Sequence, residues 1–186
     1  DLNFVIKGSG KEYESIRELK KFNNTLIIPV NFPKAFDVSN SNLNEKLTIN
    51  QLRYWNQAPS NLGVLEKNGI NFSITSSDLK NKRDFLKNIR KAIKNGLSEK
   101  TALDALTIIP AKSLNLENKI GKIDRGYLSN FLITSGPIFD DKTEINENWI
   151  KGQRHIIKNT DNINIDGEYN LTINNKPYEI VVSNSL

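Results

Sequence analysis

The segment NFSITSSDLKNK, residues 71–82, carries the side chains best placed to do chemistry. It has the pattern of an apolar strand that ends in Ser76 and Ser77 and is followed by Asp78 and a basic helix. A carboxylate at the end of a buried strand can bind a metal ion or act as a general base. Asp78, or Ser77 before it, can instead cap the next helix and satisfy its free N–H groups. The helix start also favours an acid electrostatically, and we favour the cap.

Two other kinds of catalytic centre fit the sequence poorly. Ser76 and Ser77 are adjacent, but there is no G-x-S-x-G elbow, and no histidine is placed to activate either serine. The chain has no cysteine, which excludes disulfides and thiolate metal sites. Its one histidine, His155, lies in the strand-like stretch GQRHIIK, and we predict an ordinary surface or pairing residue there.

The loop KGSGK, residues 7–11, could form a backbone nest for an anion, with Lys7 or Lys11 as a partner. It fails the G-x-G-x-x-G pattern because Tyr13 replaces the third glycine, and no G-x-x-x-x-G-K-[ST] motif is present. A tight turn from strand to helix is the interpretation we favour. Tyr54 and Trp55 could line a substrate pocket, although aromatic residues at helical spacing more often belong to the core.

These side chains need elements to position them, and the first half of the chain alternates between apolar and amphipathic segments. Apolar strands that alternate with helices predict parallel strands covered by helices. The expected strands are 2–6, 25–32 and 71–76, and the clearest helix is 84–95, which stops at Gly96. Two further helices are predicted, one from Ser98 as N-cap and one opening at Pro110.

From Lys119 onward the pattern changes to strand pieces broken by glycine and asparagine. Alternating apolar residues at 169–173 and 178–182 flank Asn174 and Asn175, which predicts a hairpin with a tight turn. We expect a β-rich appendage here, either a sandwich or part of one.

Composition limits the classes of partner. The net charge is +5 and the sequence pI is about 9.3, with a dense basic run from Lys80 to Lys94. That run falls on a predicted amphipathic helix, so we interpret it as a solvated face and predict no nucleic-acid partner. A basic module for acidic partners remains the least favoured hypothesis. No run approaches the roughly 18 apolar residues that span a bilayer, and we predict no membrane partner.

The stretch from 102 to 158 resembles the C-terminal end of the amidohydrolase superfamily, and more closely the imidazolonepropionase- and prolidase-like metal-dependent hydrolases. The family pattern is a helix ending in Thr-x-x-Pro-Ala, then Gly-x-Ile-x-x-Gly, a strand, and a strand–turn–strand. This chain has the corresponding stretches ALTIIPAKSLNL, IGKIDRG, NFLI and NWIKGQRHII in that order.

The resemblance implies an α/β plus β fold: the last three βα units of a (β/α)8 TIM-type barrel, then a small β-sandwich. The implied organisation is a partial barrel with its following helices over 1–117, a composite sandwich segment over 118–158, and an extra hairpin over 159–186. In such barrels the chemistry lies at the C-terminal ends of the strands, here 7–10, 31–34 and 76–78.

The resemblance also implies one or two divalent metal ions, Zn²⁺ or similar, bound by histidines from several strands. An Asp at the end of the last strand would orient and deprotonate the water. That family position is Ser76 here, so Asp78 is displaced by two residues and is the sole catalytic candidate in this segment. Because the chain has no Met and opens directly into LNFVI, we expect a piece of a longer parent protein. The metal ligands would then precede Asp1, the piece itself would be inactive, and its compartment stays open.

Two function hypotheses follow from the resemblance. In the first, the parent hydrolyses C–N bonds in amides, cyclic amides or peptides. In the alternative, the parent has lost its metal site and serves binding or assembly. The expected partners are the rest of the parent chain, a small-molecule or peptide-like substrate, and a second copy that pairs through unpaired strand edges.

Overall fold

A computed structural model describes residues 5–22, 24–36, 47–159 and 167–182. Its strands, in chain order, are β1 (Ile6–Lys7), β2 (Leu26–Pro29), β3 (Phe72–Thr75), β4 (Phe131–Thr134), β5 (Ile145–Ile150), β6 (Gln153–Ile156), β7 (Gly167–Ile173) and β8 (Lys176–Val182). Its α-helices are α1 (Ile16–Leu19), α2 (Ile49–Gln57), α3 (Asn61–Lys67), α4 (Phe85–Lys94), α5 (Glu99–Leu106) and α6 (Ile108–Ser113). Short 3-10 turns cover Glu12–Glu14, Ala58–Ser60 and Lys82–Asp84.

The first half of the chain builds a parallel sheet in the order β1–β2–β3. Ile6 pairs with Leu26 and Leu26 with Phe72, so the three strands run side by side with their carboxyl ends at one edge. Leu26, Ile28 and Phe72 are almost fully buried, as expected for strands covered by helices. The prediction of a parallel α/β arrangement is confirmed; residues 1–4 of the first expected strand lie outside the described residues.

Helix α4 packs its apolar stripe on this core. Ile89 and Ala92 are fully buried, and Gly96 adopts a φ of 105°, the left-handed conformation expected just after the helix end. Gly63 of α3 lies so close that a Cβ built on it would meet the Gly96 carbonyl carbon at 2.6 Å. The two helices can therefore pack closely only because position 63 has no side chain.

Helix α5 begins where its sequence predicts. The Ser98 side chain accepts a hydrogen bond from the Thr101 N–H, as an N-cap does. The Glu66 carboxylate on α3 accepts hydrogen bonds from the Ser98 N–H and hydroxyl and from the Thr101 hydroxyl, at 2.8, 2.5 and 2.7 Å. The next helix differs from its prediction: α6 begins at Ile108, so Pro110 is its third residue. The first three helical N–H groups need no intrahelical acceptor, and a proline is tolerated there.

The second half forms an antiparallel sheet in the order β4–β5–β6, with a register shift between Ile133 and Thr134. Phe131 and Trp149 pair directly across β4 and β5, and their rings stack at 5.4 Å. The connection between these strands packs on the parallel half, because Phe139 is buried in the same core and Arg90 of α4 donates to the Ile138 carbonyl at 3.1 Å.

Strands β7 and β8 form the predicted hairpin. Asn174 and Asn175 occupy the turn with φ values of 51° and 61°, which is the conformation that asparagine tolerates. Tyr169 pairs with Ile180 and Leu171 with Tyr178 across the two strands. No helix within the described ranges is long and apolar enough to span a membrane.

Candidate functional site

The carboxyl ends of β1 and β3 are linked by one charged contact. The Lys7 ammonium at the end of β1 lies 2.6 Å from Oδ1 of Asp78, three residues beyond β3. The Ser77 hydroxyl donates to the same oxygen at 3.3 Å. Since parallel strands end at the same edge, a contact across the sheet joins residues 71 positions apart in the sequence. The structure thus places Asp78 at the edge where the resemblance expects chemistry.

Asp78 does not cap the following helix, so the interpretation that we favoured from sequence is wrong. The helical turn after β3 begins at Lys82, and Asn81 is its cap: its side chain accepts a hydrogen bond from the Arg83 N–H at 3.1 Å. Ser77 is no cap either, because it lies in the same turn as Asp78. The turn is held instead by Lys82, whose ammonium donates to the carbonyls of Ser76 and Ser77.

The electrostatics of this edge favour the ionised form of Asp78. The hydrogen bond from the Lys7 ammonium lowers the pKa of the Asp78 carboxyl below its ordinary value, and the Ser77 hydroxyl and the Lys82 charge act in the same direction. Two ammonium groups therefore face one carboxylate. Both members of the Lys7–Asp78 pair are well exposed, so water screens their attraction.

The KGSGK loop is a tight turn, as favoured, and its nest already holds an anion from the chain itself. The carboxylate of Glu12 accepts hydrogen bonds from the Ser9 N–H at 2.5 Å and from the Gly10 N–H at 3.0 Å. Its other oxygen accepts from the Asn61 amide at 2.7 Å, and the Asn61 carbonyl oxygen accepts from the Tyr13 N–H at 2.8 Å. Glu12 and Asn61 are both buried. This loop therefore does not offer the open anion site that its glycines suggested.

The two aromatic residues of α2, Tyr54 and Trp55, do not belong to the buried core. Trp55 remains 38% exposed, and no residue of α2 is buried, so the assignment of this aromatic pair to the core is wrong. The Lys11 ammonium lies over the Tyr54 ring at 4.6 Å. Burial raises the pKa of the Tyr54 hydroxyl, and the charge of Glu12 acts in the same direction.

The sequence predicted where the candidate site residues lie better than it predicted which groups they contact. The pairing of Lys7 with Asp78 has no local signal, since the two residues are joined only by the parallel register. Glu12 did have a local signal, because an acid two residues after Gly10 can accept hydrogen bonds from the backbone N–H groups of the preceding loop. His155 lies exposed on β6 and pairs across the strands with Asn148, as predicted for an ordinary surface or pairing residue.

A large concave surface lies away from this edge. A groove of about 900 Å³ separates helices α5 and α6 from strands β4 and β5. Its wall is mostly apolar and includes Leu103, Leu114, Leu132, Trp149 and Ile150. None of the strand-end residues lines it, so this groove is separate from the site around Asp78.

The sequence model of the amidohydrolase family matches residues 56–167, more than half of the chain. The chain belongs to the amidohydrolase family. This match includes β3, the turn with Asp78 and the antiparallel sheet. The resemblance found in the sequence is thereby confirmed at the level of the superfamily. No curated protein matches the chain.

Solved amidohydrolase structures share the fold. An amidohydrolase from Thermotoga maritima MSB8 matches 82% of this chain with 21% identity and a TM-score of 0.65. A prolidase solved with N-methylphosphonate-L-proline and an Xaa-Pro dipeptidase solved with methionine in its active site match the same share, with 12% and 14% identity and TM-scores of 0.58 and 0.59. The fold is consistent with a partial TIM-barrel-derived domain. This chain spans between 37% and 40% of the length of these three proteins.

Members of this family generally use divalent metal ions. The strand-end residues that the structure describes do not fit such an ion by themselves. A divalent cation needs several oxygen or imidazole ligands, whereas Asp78 is one carboxylate whose oxygen is already bound by an ammonium group. Among the described strand-end residues, this edge presents one carboxylate that is paired with an ammonium group.

Proposed function

We propose that this chain is the C-terminal portion of a hydrolase that cleaves C–N bonds in amides, cyclic amides or peptides, and that this portion is inactive alone. The observation that carries the proposal is the family match over residues 56–167, which includes the strand end with Asp78. The prolidase and dipeptidase among the structural neighbours act on peptide-like compounds, which makes such compounds the first substrates to test.

The finer architecture is part of this proposal. The three parallel strands would be the last three βα units of a (β/α)8 barrel, and the sheet β4–β5–β6 would be one part of a composite β-sandwich. The rest of the parent chain would complete both. In this proposal the rest of the parent chain would pack in the apolar groove of about 900 Å³.

In the intact barrel, Asp78 would act as the general base. An aspartate carboxyl is ionised at neutral pH, so Asp78 would be able to accept a proton from the attacking water. The Lys7 ammonium lowers the pKa of this carboxyl and so makes it a weaker base for as long as the pair is formed. Lys7 would orient this carboxylate, and Lys82 would fix the turn that carries it. A divalent ion, Zn²⁺ or similar, would be bound by residues outside this chain.

The test is a hydrolysis assay on the longer protein that contains this chain, against a panel of Xaa-Pro dipeptides, N-acyl amino acids and cyclic amides. We expect turnover of at least one class, inhibition by a chelator, and recovery with Zn²⁺ or Mn²⁺. The 186-residue chain assayed in parallel should show no turnover. A longer protein that hydrolyses none of the three classes would contradict the proposal.

A non-catalytic function in binding or assembly is the second candidate, and one observation favours it. The family position for the acid holds Ser76, and the displaced Asp78 is engaged by an ammonium group. In this case the Lys7 ammonium, rather than a metal ion, would be the cation that contacts the acid at the carboxyl ends of the strands. Metal analysis of the longer protein decides between the two candidates, because one equivalent or more of bound Zn, Mn or Fe rules out the non-catalytic form.

A further inference from the structure

The ammonium group of Lys7 opposes the role that Asp78 has in the proposed reaction. It lies 2.6 Å from Oδ1 of Asp78, the carboxylate that would act as the general base. The hydrogen bond from this ammonium lowers the pKa of the Asp78 carboxyl, and a carboxylate of lower pKa is a weaker base. Proton transfer to Asp78 is therefore faster once the ammonium has left this carboxylate.

The contact between Lys7 and Asp78 is easily exchanged for another. The two side chains are 50% and 38% exposed, so a solute can reach both, and an exposed ion pair contributes little to stability. The backbone of Lys7 is held by the sheet, because Lys7 pairs with Ile27 and the Gly8 N–H donates to the Ile27 carbonyl at 2.9 Å. The ammonium on its flexible stem can thus change partner while the strand end stays in place.

The turn that carries Asp78 does not depend on Lys7. The Lys82 ammonium donates to the carbonyls of Ser76 and Ser77, and the Ser77 hydroxyl donates to Oδ1 of Asp78 at 3.3 Å. These contacts remain when Lys7 moves away. The two lysines therefore have different roles, since Lys82 fixes the turn and Lys7 can be exchanged.

The strand ends carry more cations than acids. The segments 7–10, 31–34 and 76–78 contain Lys7 and Lys34 but a single acid, Asp78. The next acid after β1 is Glu12, and its carboxylate is buried in the nest of the KGSGK loop. Within these segments an ammonium that leaves Asp78 finds no second carboxylate, so a bound anion is the partner that its charge fits.

We propose that Lys7 selects an anionic ligand at this edge, because its ammonium moves from Asp78 to a carboxylate of the ligand when the ligand binds. The ammonium has one carboxylate partner before and after the exchange, and no covalent bond forms or breaks. A carboxylate fits because the ammonium already accommodates one at 2.6 Å. The release of Asp78 as a stronger base rests on the proposed hydrolase function, whereas the preference for an anionic ligand does not.

Alanyl-L-proline and alanyl-L-prolinol test the proposal in the longer protein. They share the scissile bond and differ only in a carboxylate against a neutral hydroxymethyl group. Because a hydrogen bond to a charged group corresponds to roughly tenfold or more in affinity, kcat/KM should be at least about tenfold higher for alanyl-L-proline. Lys7→Met should bring this ratio to within about threefold of unity, and Lys7→Arg should retain the preference.

The matched control is Lys94→Met, which removes another exposed ammonium that lies 2.6 Å from an aspartate. This variant should leave the ratio of the two kcat/KM values unchanged. Turnover of both compounds at similar kcat/KM by the unmodified protein would overturn the proposal. So would a preference for the carboxylate that persists in Lys7→Met. Neither result touches the proposed hydrolase function.

Equilibrium binding tests the role of Lys7 independently of turnover. N-methanesulfonyl-L-proline and N-methanesulfonyl-L-prolinol have no acyl C–N bond to cleave, so isothermal titration calorimetry on the longer protein measures their affinities directly. The acid should bind at least about tenfold more tightly than the alcohol, and Lys7→Met should remove the difference. This difference in a protein that hydrolyses no C–N substrate would refute the proposed function and support the role of Lys7. Equal affinities, or no binding of the acid up to 10 mM, would overturn the role of Lys7.

Discussion

The buried pair Glu12 and Asn61 should contribute more to stability than any exposed ion pair described above. Glu12→Ala removes the acceptor for the Ser9 and Gly10 N–H groups and for the Asn61 amide. Hydrogen bonds to a charged group contribute roughly 1.5–3 kcal/mol each, and water can replace part of the loss at the exposed Ser9. We therefore expect Glu12→Ala to lower the free energy of unfolding by about 3 kcal/mol.

A double-mutant cycle isolates the contact itself. Asn61→Ala also leaves the Tyr13 N–H without its acceptor and should lower the free energy of unfolding by about 2–3 kcal/mol. Because both single substitutions break the same Glu12–Asn61 bond, the double mutant should be about 1–2 kcal/mol more stable than the sum of the two effects predicts.

The assay for this cycle is urea denaturation followed by circular dichroism, with Glu18→Ala as the control. Glu18 is an exposed acid of α1, and its removal should change stability by less than about 0.5 kcal/mol. A loss below about 1 kcal/mol for Glu12→Ala would refute the assignment of Glu12 to the nest. Additive effects of Glu12→Ala and Asn61→Ala would refute the coupling.

Three further predictions concern single residues. Burial raises the pKa of the Glu66 carboxyl, but the hydrogen bonds from the first turn of α5 outweigh burial and lower this pKa overall. The stability that ionised Glu66 contributes is therefore present above the unfolded pKa of about 4.3 and is lost as the pH falls through the lower folded pKa. Urea denaturation should show Glu66→Gln less stable than wild type by about 1–2 kcal/mol at pH 7 and by a smaller amount near pH 3, whereas an equal deficit at both pH values would contradict this. Gly63→Ala sets a methyl group against the Gly96 backbone and should cost about 2 kcal/mol by the same assay, and a neutral effect would show that the helices can separate. Lys7→Met should raise the pKa of Asp78 toward its ordinary value in an NMR titration, and an unchanged pKa would assign its depression to other groups.

The elements predicted correctly from sequence are those that local chemistry determines. The stripe of α4 and the hairpin turn at Asn174 and Asn175 each depend on residues within one turn of each other. The N-cap at Ser98 is equally local. The superfamily could be inferred because its motif between 102 and 158 is continuous in the chain.

The details of the site could not be read from the sequence, because they depend on which residues the parallel register brings together. Asp78 had the local features of a helix cap, but a distant ammonium competes for its carboxylate, and Asn81 lies closer to the helix start. The aromatic pair on α2 had the spacing of a core helix, yet burial depends on what packs against that face. Helical spacing alone does not identify a partner.

The kinetic effect of Asp78→Asn in the longer protein tests the central claim most directly. The control is Asp141→Asn, which removes another exposed aspartate paired with a lysine at 2.6 Å, in this case Lys94 of α4. If Asp78 is the general base at the strand ends, its amide variant should lose at least 100-fold in kcat on the best C–N substrate. The control should retain the activity of the unmodified protein. A kcat for Asp78→Asn within about threefold of the unmodified protein would contradict the account.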